Sequence, residues 1–352
     1  VNFEDERLLE MSADDLNVIL EIGLEMAGVD NRPYLFLDEI QNIKGWEKFV
    51  RRIADMKYRI NITGSNSKML SSEIASTLGG RFMIVDIYPY SFPEYLLAQG
   101  KNKNYLDILS TKDRAEVLGM YDQYVKYGAF PELVGIRNKR EFLNSIYQTI
   151  YLGDIITRNK ITNDFAVRLI LKKIAESITK PLSFNRLGNI LKSAGAAIGK
   201  QTVINYVGYM MESYMLFTLQ NYAAKLIQKE TSPKYYFMDT GLLGLMLMDC
   251  SSAQLENLVA IELIRRFGRE KVFYFENNVE IDFYIPEEKL AIQVSMQVLD
   301  QIETREREIG AFLKLRNFIE GARCILITNS EEAELDCDGI HVSVVPAWKW
   351  LL

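Results

Sequence analysis

The run Tyr34-Leu35-Phe36-Leu37 passes without a break into Asp38 and Glu39. A strand of consecutive apolar residues has no polar face to give to water, so it belongs in a sheet covered on both sides. Its neighbours repeat the pattern. Val1–Phe3, residues 58–63 and residues 81–87 read as strands. Residues 12–28, with Ser12 as N-cap, residues 46–55 and residues 67–77 read as the helices between them. Trp46, Phe49, Val50 and Ile53 share one face of the second helix. Buried strands alternating with amphipathic helices predict an α/β fold with a parallel sheet, whose ligands bind at the carboxyl ends of the strands. Asp38, Glu39, Thr63 and Ser65 all fall at or just after such ends.

The 352 residues are 48% hydrophobic and 25% charged, enough for a full core and for two or three domains. Forty-one basic against 47 acidic residues leave a net charge of -6, so any contact with nucleic acid has to be local. Three cysteines (Cys250, Cys324, Cys337) and the single His341 exclude a disulfide framework and a His/Cys zinc cage. No apolar run reaches membrane-spanning length and no signal peptide is visible, so the expectation is a cytoplasmic protein without a membrane partner.

After residue 88 the rhythm changes. Two prolines interrupt residues 88–96, and residues 104–180 read mainly as helix, bent near Gly128 and Pro131. From residue 181 a helix-turn-helix pattern follows. Leu187, Ile190 and Leu191 share one face, and Val203, Tyr206, Val207 and Met210 share another. Residues 214–220 and 233–239 suit the strands of a wing. The remainder reads as a helix, three short strands, a helix at 302–319, then strands at 324–328 and 341–345. The expected organisation is a parallel-sheet core over 1–100, a helical lid or linker over 101–180, a winged helix over 181–238 and an α/β domain over 239–352.

Phosphoryl transfer needs a metal clamp, an oriented water and positive charge at the γ-phosphate. Asp38 is placed to hold Mg2+, Glu39 to polarise water, and Thr63 and Ser65 to touch the γ-phosphate or that water. Arg81 follows Gly79-Gly80 and suits an arginine finger acting on a neighbouring subunit, which implies a homo-oligomer. A strand ending Asp-Glu, a strand ending Thr-Gly-Ser, then Gly-Gly-Arg is an order that resembles the AAA-type P-loop ATPases. More narrowly, FLDEIQ, TGSNSKML, LGGRF, YPYSFPEYL and YGAFPE resemble a bacterial and archaeal family that joins an ATPase core to a C-terminal half of unknown function. The resemblance covers nearly the whole chain. It implies ATP and Mg2+ as cofactors and ATP hydrolysis as the activity, with DNA-linked or signalling roles in some relatives.

The phosphate loop that such a strand serves reads G-x-x-x-x-G-K-[ST]. The nearest match, GAAIGKQT at 195–202, has one residue too few between Gly195 and Gly199 and puts Gln201 where a hydroxyl is required. It also sits in the helix-turn-helix turn. In the family resembled, the loop lies upstream of the strand that Val1–Phe3 resembles. The expectation is therefore an N-terminally truncated core, and no tight ATP binding by these 352 residues alone.

Two further constellations stand out. The helix-turn-helix places Lys200, Gln201, Thr202 and Asn205 at the start of its second helix, the end that enters the major groove in DNA-binding versions. Lys192, Lys225, Lys229 and Lys234 are candidates for phosphate contacts. DNA contact and a protein-docking role both stay open. In the last domain Glu280 and Asp282 alternate with Ile281 and Phe283 on one strand, Gln293 and Ser295 follow on the next, and a preceding helix supplies Glu256. This resembles the restriction-endonuclease-like fold, whose core is a helix Glu, a strand Asp, then (Asp/Glu)-x-Lys. Gln293 stands for the acid and Ser295 for the lysine, so a degenerate, catalytically silent site is expected. The functional expectation is ATP binding and hydrolysis in the intact protein, with possible DNA binding; the alternative is a non-enzymatic DNA- or protein-binding regulator that keeps the ATPase fold as scaffold.

Overall fold

A computed structural model describes residues 1–8, 10–28, 33–65, 77–80, 82–101, 110–248 and 251–352. The chain divides into two compact units: Val1–Asp86 with Met211–Tyr214, and Ile87–Met210 with Met215–Leu352.

In the first unit, β1 (Tyr34–Leu37) and β2 (Arg59–Ile62) pair in parallel, with Leu37 opposite Ile62. On the other edge of β1, Asp38 bridges Asn2 in parallel, with Phe3 N donating to Asp38 O at 2.9 Å. The helices are α1 (Leu16–Ala27) and α2 (Trp46–Asp55). Trp46, Phe49, Val50 and Ile53 are all buried, joining Leu16, Leu35, Leu37 and Ile40 in one core. Three expectations change. Helix α1 begins at Leu16, because the Ser12 amide and hydroxyl donate to Asp15 Oδ2 instead of Ser12 capping the helix. Tyr34 and Phe36 are exposed, so among the described residues only one face of β1 is covered. Residues 82–87 form no strand, and Met83, Val85 and Ile87 lie open to solvent. The helix expected at 67–77 and Arg81 fall largely or wholly outside the described residues.

The second unit opens with α3 (Phe92–Ala98), started by a Ser91–Glu94 capping box. Helix α4 (Thr111–Tyr127) stops at Gly128, whose φ is +78°. Helix α5 (Lys139–Gln148) runs on as a π-helix to Thr157, and α6 spans Asp164–Glu176. Helices α7 (Phe184–Ser193) and α8 (Lys200–Glu212) bury Leu187, Leu191, Val203, Tyr206, Val207 and Met210, while Ile190, expected on the same face as Leu187, is only half-buried.

An eight-stranded mixed sheet follows. Its strands are β3 (Leu216–Asn221), β4 (Lys234–Phe237), β5 (Phe273–Glu276), β6 (Glu280–Ile285), β7 (Leu290–Ser295), β8 (Arg323–Thr328), β9 (Ala333–Cys337) and β10 (Ile340–Pro346), in the order β4-β3-β5-β6-β7-β8-β10-β9. The strands read as a wing do pair antiparallel, but β3 also pairs in parallel with β5 through Gln220 and Asn221. The hairpin is thus an extension of the large sheet rather than a free flap. Helix α11 (Ser251–Phe267), reached through the short α9 (Leu226–Thr231) and α10 (Thr240–Met246), is buried at every position from Gln254 to Ile264. Asn257 clamps it to β4, accepting from Phe237 N at 2.7 Å and donating to Phe237 O at 2.9 Å. Helix α12 (Ile302–Leu315) makes the crossover that leaves β7 and β8 parallel.

Asp239 ties the helical segment to the sheet. Its Oδ2 accepts from Ala129 N at 2.7 Å, and its Oδ1 accepts from Gly241 N at 2.8 Å and Leu242 N at 3.2 Å. A Cβ on Gly128 would lie 1.9 Å from Asp239 Oδ1, so glycine is required there by space as well as by φ. Burial pushes the Asp239 carboxyl up to about 6, against the downward pull of those three N–H groups. The native state therefore keeps this proton longer than the unfolded chain does. That contribution to stability is complete below about pH 4 and is lost as pH rises through about 6. Denaturant unfolding should show about 3 kcal/mol of stability lost from this group between those limits, and Asp239→Asn should remove that part of the slope. Equal slopes in the two proteins would contradict the assignment.

Candidate functional site

Two groups of polar side chains are built by the strands. The first lies at the carboxyl ends of β1 and β2. Because Leu37 pairs with Ile62 in parallel register, the next residues, Asp38 and Thr63, emerge side by side. The Thr63 hydroxyl donates to Asp38 Oδ1, and Glu39 N donates to Thr63 Oγ1 at 3.3 Å. The Ser65 hydroxyl donates to Glu39 Oε2 at 3.0 Å, and the Gln41 amide donates to the same oxygen. Glu39 itself is left-handed, with φ +53°, and turns the chain sharply from β1 into the single turn Ile40–Asn42. A non-glycine residue held there is strained, as often happens where side-chain direction matters more than backbone comfort. Four of the five residues expected to act together are thus brought together. Two adjacent carboxylates and two hydroxyls at the mouth of a parallel sheet can hold a hard cation and orient a water molecule. Arg81 lies outside the described residues.

The second group lies inside the large unit. The Lys234 side chain has no exposed surface. Its Nζ lies 3.0 Å from Glu280 Oε1, 3.6 Å from Asp282 Oδ1 and 3.7 Å from Glu256 Oε1. Burial works against this charge, but Glu256, Asp282 and Glu280 more than offset it and hold the ammonium above the usual lysine range. Burial likewise raises both Glu256 and Asp282. Each acid has further partners: the Tyr236 hydroxyl donates to Glu256 Oε1 at 2.9 Å, and Val294 N donates to Asp282 Oδ2 at 2.9 Å.

Lys234 is therefore no phosphate contact. A lysine opening the fully buried strand Lys234–Phe237 has to find acids, and that run of apolar residues was the signal available in the sequence. Order along the sheet hides the outcome. Three strand spacings, about 14 Å, separate β4 from β6 in a flat sheet, yet Tyr236 and Phe283 have ring centroids 5.8 Å apart. The sheet must coil here and fold β4 back over β6.

Gln293 and Ser295 behave differently from one another. Gln293 is buried and replaces ladder bonds between β6 and β7: its Oε1 accepts from Asp282 N at 2.8 Å and its Nε2 donates to Glu280 O at 3.2 Å. Ser295 turns to Gln297, donating to its carbonyl at 3.1 Å. On the helix pair, Lys200, Gln201 and Asn205 are exposed at the start of α8, Thr202 is half-buried, and Gln201 donates to Asn205 at 3.1 Å. Lys192 and Lys225 are exposed; Lys229 sits half-buried over the Tyr222 and Phe273 rings. Among the described residues no helix is long and apolar enough to cross a membrane.

Two family models match parts of the chain. Residues 1–96 match the model of an AAA domain, the class of ATPase-like core, and residues 118–252 match a domain of unknown function (DUF8612). The whole chain is 34% identical to an uncharacterized protein of Methanocaldococcus jannaschii, spanning 81% of it. It is 29% identical to an uncharacterized protein of Haemophilus influenzae, over 92% of this chain and 79% of that one. The chain belongs to the family of the M. jannaschii protein, and its own residues 1–96 carry the AAA-domain match.

The bonds of Gln293 generate a prediction. A carboxylate at this position cannot donate to Glu280 O and adds negative charge beside Asp282, so Gln293→Glu should cost about 1–3 kcal/mol in denaturant unfolding. An unchanged midpoint would show that the amide does not hold the two strands.

Proposed function

We propose that the Val1–Asp86 unit is the hydrolytic half of an ATP site and that the intact protein is an ATPase. The observation that carries this reading is the pairing of Thr63 with Asp38 and of Ser65 with Glu39 at the carboxyl ends of neighbouring parallel strands. The match of residues 1–96 to an AAA domain supports it. In this reading Asp38 holds Mg2+ through water. Glu39 polarises the attacking water, with its carboxylate aimed by Ser65 and Gln41. Thr63, already bonded to Asp38, senses the γ-phosphate, and Arg81 completes the site of a neighbouring copy. ATP binding also needs a backbone nest and a lysine at the phosphates, which none of these residues can replace.

A second reading is a non-enzymatic regulator that docks DNA or protein through α7 and α8. It is favoured by the polar, exposed start of α8, where Lys200, Gln201 and Asn205 lie together.

In a protein that carries a phosphate loop, Glu39→Gln should lower ATP turnover at least about a hundredfold while sparing Mg-ATP binding. Unchanged turnover would remove Glu39 from the mechanism. The second reading predicts a gel shift of duplex DNA that weakens steeply with added salt; a salt-insensitive shift or none leaves protein docking as the role of the helix pair.

A further inference from the structure

The Lys234 cluster belongs to the second unit, not to the unit that carries Asp38 and Thr63, and it presents a problem of its own. Three acids from two elements, Glu256 on α11 and Glu280 and Asp282 on β6, converge on one buried point, and an ammonium group stands at that point. The ammonium is fully buried and aimed into the cluster, nearest to Glu280 Oε1 at 3.0 Å. It is held by charge from several sides, as a spherical cation would be. We propose that Lys234 is an internal cation that occupies the place of a divalent metal ion in a carboxylate site, so that removing its amine opens a site for such an ion.

Three features support this. First, carboxylate oxygens gathered around one positive centre are the ligands that hard divalent cations prefer. Oxygen distances of 3.0–3.7 Å are too long for a metal and suit an ammonium; among the described residues no group of three or more His, Cys, Asp and Glu side chains is placed to share a metal as they stand. Closure by about an ångström around a smaller ion would bring them into range. Second, the site is matched to a single positive charge. The neighbouring strand position that could add a further acid is Gln293, neutral and with both ends of its amide bonded to β6. One positive charge on Lys234 then faces Glu256, Asp282 and Glu280, two of which burial drives toward their neutral forms. Third, the acids are fixed independently of the lysine. Tyr236 holds Glu256 and Val294 N holds Asp282, so a cage remains when the amine is gone. Glu280 has a half-exposed side chain and gives a mouth through which an ion can enter.

Manganese binding, followed by electron paramagnetic resonance, separates the outcomes. The wild-type chain should bind no manganese that depends on Asp282. Lys234→Ala should bind one ion at least tenfold more tightly than wild type, and adding Asp282→Asn should abolish the gain. Lys234→Met, which keeps the bulk of the stem, should behave like Lys234→Ala. If either variant is unfolded in chelator, manganese should restore its fold; a variant that stays unfolded in manganese overturns the proposal. So does a folded Lys234→Ala with no gain in affinity. Wild-type manganese binding, or magnesium-dependent plasmid nicking, that is lost in Asp282→Asn would also overturn it, because the metal would then share the site with the lysine.

Discussion

A charge taken wholly out of water has to be matched by other charges, and in the larger unit that requirement falls on Lys234. Its Nζ holds β6 through Glu280 and Asp282 and α11 through Glu256, from a position on β4. Those elements take in one half of the sheet and its most buried helix. Removing one partner of such a group leaves the rest unpaired in a low-dielectric interior, which is why a buried pair commits the surrounding structure to one arrangement. The surrounding bonds fit that commitment. Asn257 fastens α11 to the backbone of Phe237, and Gln293 fastens β6 to β7 just where the acids emerge.

The smaller unit rests on a different constraint, register. Two strands of only four residues each place Asp38 and Thr63 at matching ends. A parallel pairing offset by one residue would turn one of these side chains to the opposite face. The core beneath is made by Leu35 and Leu37 meeting Trp46, Phe49, Val50 and Ile53, so burial of apolar surface sets the register and the polar ends inherit it. The left-handed turn at Glu39 is the local cost of aiming two successive acids at one place.

Periodicity was legible wherever one element packs against one core. The buried face of α2 and those of α7 and α8 follow from spacing alone. It failed where a segment's environment depends on distant chain. Residues 82–87 are as apolar as a buried strand, yet none of the described residues pairs with them as a strand. Strand β9, Ala-Glu-Leu-Asp-Cys, carries two acids and reads as a loop, and it exists because β10 presents an open edge to it. Ser12 has the chemistry of a cap, but Asp15, a stronger acceptor three residues on, takes the bonds and shortens the helix. Of the candidate sites, the Asp38–Thr63 group was visible because strand ends are visible. The Lys234 cluster was only half visible: its acids stood out by alternation, and its cation did not.

Sequence alone determined the class of fold, the existence of most elements and the acids that line both sites, because these depend on local period and on residue chemistry. Tertiary structure alone decided which cation those acids face. Lys234 lies 46 residues from Glu280 in the chain, counted as 280 minus 234, and three strands away in a flat sheet. Only the coil of the sheet, as β3 leaves its hairpin with β4 to pair with β5, carries the lysine over β6. Backbone twist accumulates over many residues, so no short window of sequence contains it.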